Sequence, residues 1–126
     1  MGESFEDLEV WQIGKKIGVG IYGLTKDFPK EESFGLTSQI RRAALSVPAN
    51  IAEGFGRYHY LDKAKFYLNA RGSLYELKSH LLIAQELGYL KEETQSVTNL
   101  FNAIDKLGVK LNNLVSATRK LNKKSS

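Results

Sequence analysis

Between Leu100 and Leu121 the positions Leu100, Ile104, Leu107, Leu111, Leu114, Thr118 and Leu121 alternate spacings of four and three. That seam is close to a heptad repeat, and it demands a long helix packed against others at a shallow angle. Three more stretches carry the same period. Val10, Ile13, Ile17, Ile21, Leu24 and Phe28 share one face; Leu36, Ile40, Ala43, Ala44, Val47 and Ile51 share another. Tyr67, Ala70, Leu74, Leu77, Leu81 and Ala84 make the third. No segment alternates as a strand does, and no internal repeat is present. The periods predict helices over about 5–27, 35–55, 61–87 and 92–121, with a basic tail over 119–126. Short connections between long helices force neighbours to run antiparallel. The predicted fold is therefore all-α: one domain over 1–126, an up-down-up-down four-helix bundle. Phe28-Pro29 ends the first stretch, because a residue before proline avoids the helical region. Ser33 or Thr37 offers a cap for the second; Gly54 and Gly56 read as its stop, and Gly88 as the stop of the third.

A 126-residue chain can bury about two-thirds of the surface its unfolded form exposes. Its 42% hydrophobic and 25% charged shares belong to an ordinary globule and exclude a disordered chain. No apolar run approaches the roughly 20 residues of a membrane span. The start, Met-Gly-Glu-Ser-Phe-Glu-Asp-Leu-Glu, is acidic where a secretory signal is basic and then apolar. A cytoplasmic location with no membrane partner is the expectation. The chain has no cysteine, so disulfides, thiolate chemistry and cysteine-based zinc sites are excluded. The net charge of +4 and pI near 9.3 favour a polyanionic partner without demanding one. Glu3, Glu6, Asp7 and Glu9 make an acidic head, and Arg119, Lys120, Lys123 and Lys124 a basic tail. Two explanations stand: helix-dipole complementarity, or a nucleic-acid-binding tail.

Pro48 interrupts the second stretch. A proline inside a helix removes a hydrogen bond and collides with the preceding turn, at about 3 kcal/mol. Either packing recovers that loss or the helix is kinked for a purpose. Beside it Arg42, Ser46, Asn50, Glu53 and Arg57 form a polar line at spacings of four, four, three and four. As structure, Glu53 would pair with Arg57, and Asn50 or Ser46 would satisfy the carbonyl that Pro48 leaves unpaired. As function, the line would be a subunit contact or ligand surface. The first stretch needs packing too, since Gly14, Gly18, Gly20 and Gly23 each weaken a helix by up to about 1 kcal/mol against alanine. They would also let a neighbouring helix come close.

Catalytic constellations are not assembled. A di-iron bundle needs two Glu-x-x-His motifs, and neither His59 nor His80 has a glutamate three residues earlier. Glu76 and His80 share a face, but two ligands do not make a metal site. Ser46 and Ser73 lie within helices without a histidine in register, and no glycine-rich loop follows a strand. No catalytic residue, metal or cofactor is expected. Nucleic acid is different. Arg57, Tyr58, His59, Tyr60, Lys63, Lys65, Phe66, Tyr67 and Arg71 interleave bases with aromatics where the second and third stretches join. Aromatic faces stack on unpaired bases, and cations neutralise phosphate. The plainer reading is that Phe66 and Tyr67 are core and the lysines a solvated face.

Several ordered motifs resemble the four-helix-bundle family named after the intervening sequences of bacterial 23S ribosomal RNA. They are Phe5-Glu-Asp-Leu-Glu-Val-Trp11, Leu24-Thr-Lys-Asp-Phe-Pro29, Phe34-Gly-Leu-Thr-Ser-Gln-Ile-Arg-Arg42 and Ser46-Val-Pro-Ala-Asn-Ile-Ala-Glu-Gly54. Ala70-Arg-Gly-Ser-Leu-Tyr-Glu-Leu77 and Leu87-Gly-Tyr-Leu90 follow, so the motifs run from Phe5 to about Leu90 and the last helix matches in pattern only. The resemblance implies a homopentameric ring without enzymatic activity. A similar fold occurs in the accessory protein of diversity-generating retroelements, a basic pentamer that binds nucleic acid and a reverse transcriptase. The motif residues are Gln39, Arg41, Arg42, Ser46, Pro48, Asn50, Glu53 and Gly54, with Arg71, Gly72, Ser73 and Glu76 on the third helix. In a bundle they suggest Glu53 or Asn50 facing Arg71 or Tyr75. The expected protein is a non-enzymatic oligomer binding RNA or DNA through Arg57, Tyr58, His59, Lys63, Lys65 and the basic tail. The alternative is a scaffold that binds a protein partner.

Overall fold

The computed structural model describes residues 4–90 and 94–125. Its helices are α1 (Glu9–Thr25), α2 (Leu36–Phe55), α3 (Tyr60–Glu86) and α4 (Gln95–Ser125), with 3-10 turns at Phe5–Asp7 and Lys30–Glu32. No strand occurs among the described residues. Glu3, the expected start of the fourth helix at Glu92, and Ser126 lie outside them.

The expected extents need adjustment at their ends. The first helix does not begin at Phe5. The Ser4 hydroxyl accepts the Glu6 N–H and caps a 3-10 turn, and Leu8 is extended before α1 starts. The Phe5 ring meets Trp11 edge-on at 5.0 Å, and the Gln12 amide donates to the Glu6 carbonyl at 2.9 Å. Nor is 119–126 a tail, because α4 continues to Ser125. No glycine or proline follows Gly108, and lysine and arginine suit the last turn of a helix.

Neither Ser33 nor Thr37 caps α2. The Glu32 carboxylate does so instead, accepting the Leu36 N–H at 3.1 Å and the Tyr89 hydroxyl at 2.9 Å. Thr37 is buried and its hydroxyl has no partner. Gly88 stops α3 as expected, with φ 81° and the Tyr89 N–H returning to the Ala84 carbonyl at 2.9 Å. Gly54 and Gly56 are not left-handed stops. Gly54 lies buried within α2, and Gly56 has φ −77°. What Gly54 permits is close approach: a Cβ there would stand 2.8 Å from Tyr67 Cε1 and 3.1 Å from the Lys63 carbonyl oxygen.

The core draws on all four helices, through Ile17, Ile21, Ile40, Val47, Ile51, Leu74, Leu77, Leu81, Ile104, Leu107 and Leu111. On α4 the buried stripe is Val97, Ile104, Leu107, Gly108, Leu111, Val115 and Thr118, whereas Leu121 is 46% exposed. The seven-residue row Val97, Ile104, Leu111 and Thr118 stays buried throughout, while in the neighbouring row Leu100 and Leu114 are half-buried beside a buried Leu107.

Specific pairs join neighbouring helices. From α3 to α4, Arg71 donates to Asn112 at 2.5 Å, Tyr75 lies 3.8 Å from the Cβ position of Gly108, and Lys78 donates to Asp105 at 2.7 Å. From α2 to α3, Arg42 meets Glu76, Ser46 meets Ser73, and Gly54 meets Tyr67. From α1 to α2, the Cβ position of Gly14 touches Val47 and the Pro48 ring, and that of Gly18 lies 3.8 Å from the Ala44 oxygen. In each set, the second number falls as the first rises.

Candidate nucleic-acid interface

Two members of the polar line on α2, Arg42 and Ser46, brace it to α3. Arg42 holds Gln39 at 3.0 Å and bridges to Glu76, whose carboxylate also lies 3.3 Å from His80 Nε2. The Ser46 and Ser73 hydroxyls share a hydrogen bond of 2.8 Å. The Asn50 amide donates to the Ser46 carbonyl at 2.8 Å and to its hydroxyl at 3.0 Å. It therefore does not serve the Ala44 carbonyl, the one whose partner N–H Pro48 lacks. Glu53 pairs with Arg57 at 2.8 Å, as its spacing requires. Ion pairs this exposed stabilise by at most about 1 kcal/mol, so the brace sets register more than it adds stability.

Within the chain, Glu53 and Asn50 do not face Arg71 or Tyr75. At 100° per residue, Arg71, Tyr75 and Lys78 lie on the opposite side of α3 from Ser73, Glu76 and His80. They turn to α4 instead. Arg41 points to α1, donating to the Thr25 hydroxyl at 2.9 Å with its guanidinium 4.6 Å from the Tyr22 ring centre. Among the described residues, no three histidines or acids are grouped to hold a metal ion. No described helix is long and apolar enough to cross a membrane.

The α2–α3 connection is short and tied at both ends. The Gly56 N–H bonds to the Ala52 carbonyl and the Arg57 N–H to the Gly54 carbonyl. Arg57 is held by Glu53 and lies 4.5 Å over the Phe66 ring. Lys63 reaches back to α2, where its ammonium donates to the Phe55 carbonyl at 2.6 Å and so caps an orphan helix end. Burial there pushes its pKa below the ordinary lysine value. Tyr58 is 89% exposed and touches the His59 ring edge-on at 5.0 Å. Lys65 is exposed on α3, and Arg119, Lys120, Lys123 and Lys124 are exposed on the last turns of α4.

A third feature lies between α1 and α2. Trp11, Lys15, Gly18, Val19, Tyr22, Leu45 and Pro48 line an open apolar groove of about 280 Å³. Val19 is 70% exposed and Leu45 is 50% exposed. Lys15 sits 5.4 Å over Trp11 at its rim.

Compared with known families, the chain matches the one described as 23S rRNA-intervening sequence protein over residues 6–113. It belongs to that family. No curated protein matches it. The match extends beyond the motifs, which reach only about Leu90, and takes in α4 as far as residue 113. The brace, the groove and the α2–α3 connection therefore all lie within the part shared with 23S rRNA-intervening sequence proteins. Arg119, Lys120, Lys123 and Lys124 lie beyond it. The groove is the feature that motif reasoning missed in this member of the family. Its sequence signal is faint: Val19 and Leu45 are apolar residues off the buried face of their helices.

Proposed function

We propose that this member of the 23S rRNA-intervening sequence protein family is a non-catalytic bundle that binds RNA or DNA through one basic end. The unit in this reading is an antiparallel up-down-up-down bundle, and it assembles as a homopentameric ring. Register is the observation that carries the proposal. The pairs Arg71–Asn112, Tyr75–Gly108 and Lys78–Asp105 fall in one register, in which each step forward along α3 is matched by one step back along α4. Continued along both helices, that register brings Lys120 level with Lys63 and Lys124 level with His59. Arg119, Lys120 and Lys124 then join Arg57, Tyr58, His59 and Lys65 at a single end. Cations so gathered neutralise phosphates and release counterions, which gives sequence-independent affinity. In a ring of five, the formal charge of +4 per chain becomes about +20.

Assembly has its own support. A closed ring needs two different surfaces on each copy, one docking onto the other. The groove beside Pro48 is one candidate surface. The exposed Tyr75, Leu82 and Ile83 on α3 are the other. Light scattering after size exclusion tests the ring, and a monomer contradicts it. Fluorescence anisotropy with labelled oligonucleotides over a range of salt tests the binding. Affinity that falls steeply with salt supports the proposal, and no binding at low salt overturns it.

The groove also favours a second reading, a scaffold for a protein partner in which charge serves solubility alone. Recovery of one partner unaffected by nuclease, together with absent oligonucleotide binding, would select it.

A further inference from the structure

We infer that the basic end discriminates unpaired strands from duplex, with the Tyr58 ring as the platform on which a base stacks. This rests on the nucleic-acid reading above and adds the kind of strand to it. Tyr58 contributes little to folding, because a ring 89% exposed removes almost no apolar surface from water. Among the described residues its aromatic neighbour is His59, set nearly perpendicular at 88°, so the pair meets edge-to-face and does not form a closed stack. The backbone beneath the ring is fixed all the same. It lies in a four-residue link between two long helices, with Arg57 clamped by Glu53 and Phe66 just before it. Behind it, Lys63 ties α3 to the Phe55 carbonyl. Because the link is already ordered, a ligand settling on the ring has only the two torsions of Tyr58 itself left to fix.

The surroundings supply the rest of a single-strand site. Lys65 is exposed on α3, and register brings Lys120 and Lys124 of α4 to the same end. Phosphate attraction acts on duplex and single strand alike, whereas a stacking ring reaches only a base that has left its pair. Tyr58 therefore separates the two ligands, and the lysines do not.

The test uses the full chain, with a labelled oligothymidylate and a labelled duplex of equal length at matched salt. Tyr58→Ala should weaken binding of the single strand by about 5- to 150-fold, the range for loss of one base–aromatic stack. Duplex binding should be unchanged. Tyr58→Phe, which keeps the ring, should bind like the parent. If Tyr58→Ala weakens neither probe while Lys65→Ala and Lys120→Ala weaken both, the stacking inference is overturned and the basic-end reading stands. Equal loss on both probes also overturns it. No binding to either probe at low salt overturns the two together.

Discussion

Replacing Gly54 with alanine sets helix propensity against packing. In a helix interior alanine is favoured over glycine by up to about 1 kcal/mol. The new Cβ, however, would stand 2.8 and 2.9 Å from two ring carbons of Tyr67 and 3.1 Å from the Lys63 carbonyl oxygen. Tyr67 is buried, and the carbonyl belongs to the α3 backbone, so neither can swing aside. Overpacking of this kind costs about 1–3 kcal/mol and outweighs the propensity gain. The expected net loss is up to about 2 kcal/mol, a fall of as much as roughly 8 °C in Tm for a domain of this size. Gly20→Ala is the control, since nothing lies within 4 Å of its Cβ position and it sits inside α1. That variant should gain about 0.5–1 kcal/mol. Circular dichroism melts and urea titrations at one protein concentration measure both, because assembly stabilises by mass action. If Gly54→Ala matches or exceeds the parent, the close approach of α2 and α3 is not why glycine is needed.

Pro48→Ala should keep the bundle folded, restore the hydrogen bond to the Ala44 carbonyl and weaken assembly by reshaping the groove. A higher Tm with unchanged mass by light scattering would deny Pro48 a role in assembly. Ser46→Ala should cost about 1 kcal/mol, since it strands the Ser73 hydroxyl and removes an acceptor of Asn50. The Ser46→Ala/Ser73→Ala pair should lose less than the sum of the single changes, and additive losses would show that the hydroxyls are not coupled. Alkaline unfolding offers a further check. The hydrogen bond to Glu32 raises the Tyr89 phenol above its usual value of 10.0, and burial raises Tyr67. The folded protein keeps these protons after the unfolded chain has lost them, so both make stability fall as pH climbs above 10. Lys63 works in the opposite sense, because its pKa is lowered on folding. Tyr89→Phe should flatten the decline seen by urea titration, and an unchanged slope would contradict the Tyr89–Glu32 bond.

Periodicity made the helices legible because it reports which face each helix buries. It reports partners poorly. Glu53–Arg57 was readable, being one turn apart on a single helix. The Arg71–Asn112 bond was not, since it depends on which side of α3 meets α4. The cap of α2 eluded the usual serine and threonine preference because a 3-10 turn carries the Glu32 carboxylate to the Leu36 N–H. Gly54 shows a similar limit. Its place near a helix end suggests a stop, yet the reason for it is the Tyr67 ring thirteen residues on in the sequence. Of the candidate interface, the residues at the α2–α3 junction were visible as a run. That Lys63 is spent on the Phe55 carbonyl, and that the last lysines continue a helix, required the fold.

Nucleic-acid binding by the basic end stands or falls on the salt dependence of affinity in a charge-depleted variant. Each phosphate that the protein no longer neutralises should lower the slope of log K against log salt by about 0.7 for a single strand. Lys65→Ala, Lys120→Ala and Lys124→Ala combined should therefore lower it by about 2. Binding that keeps the parent slope, or that is absent in the parent at low salt, would contradict a phosphate-binding basic end.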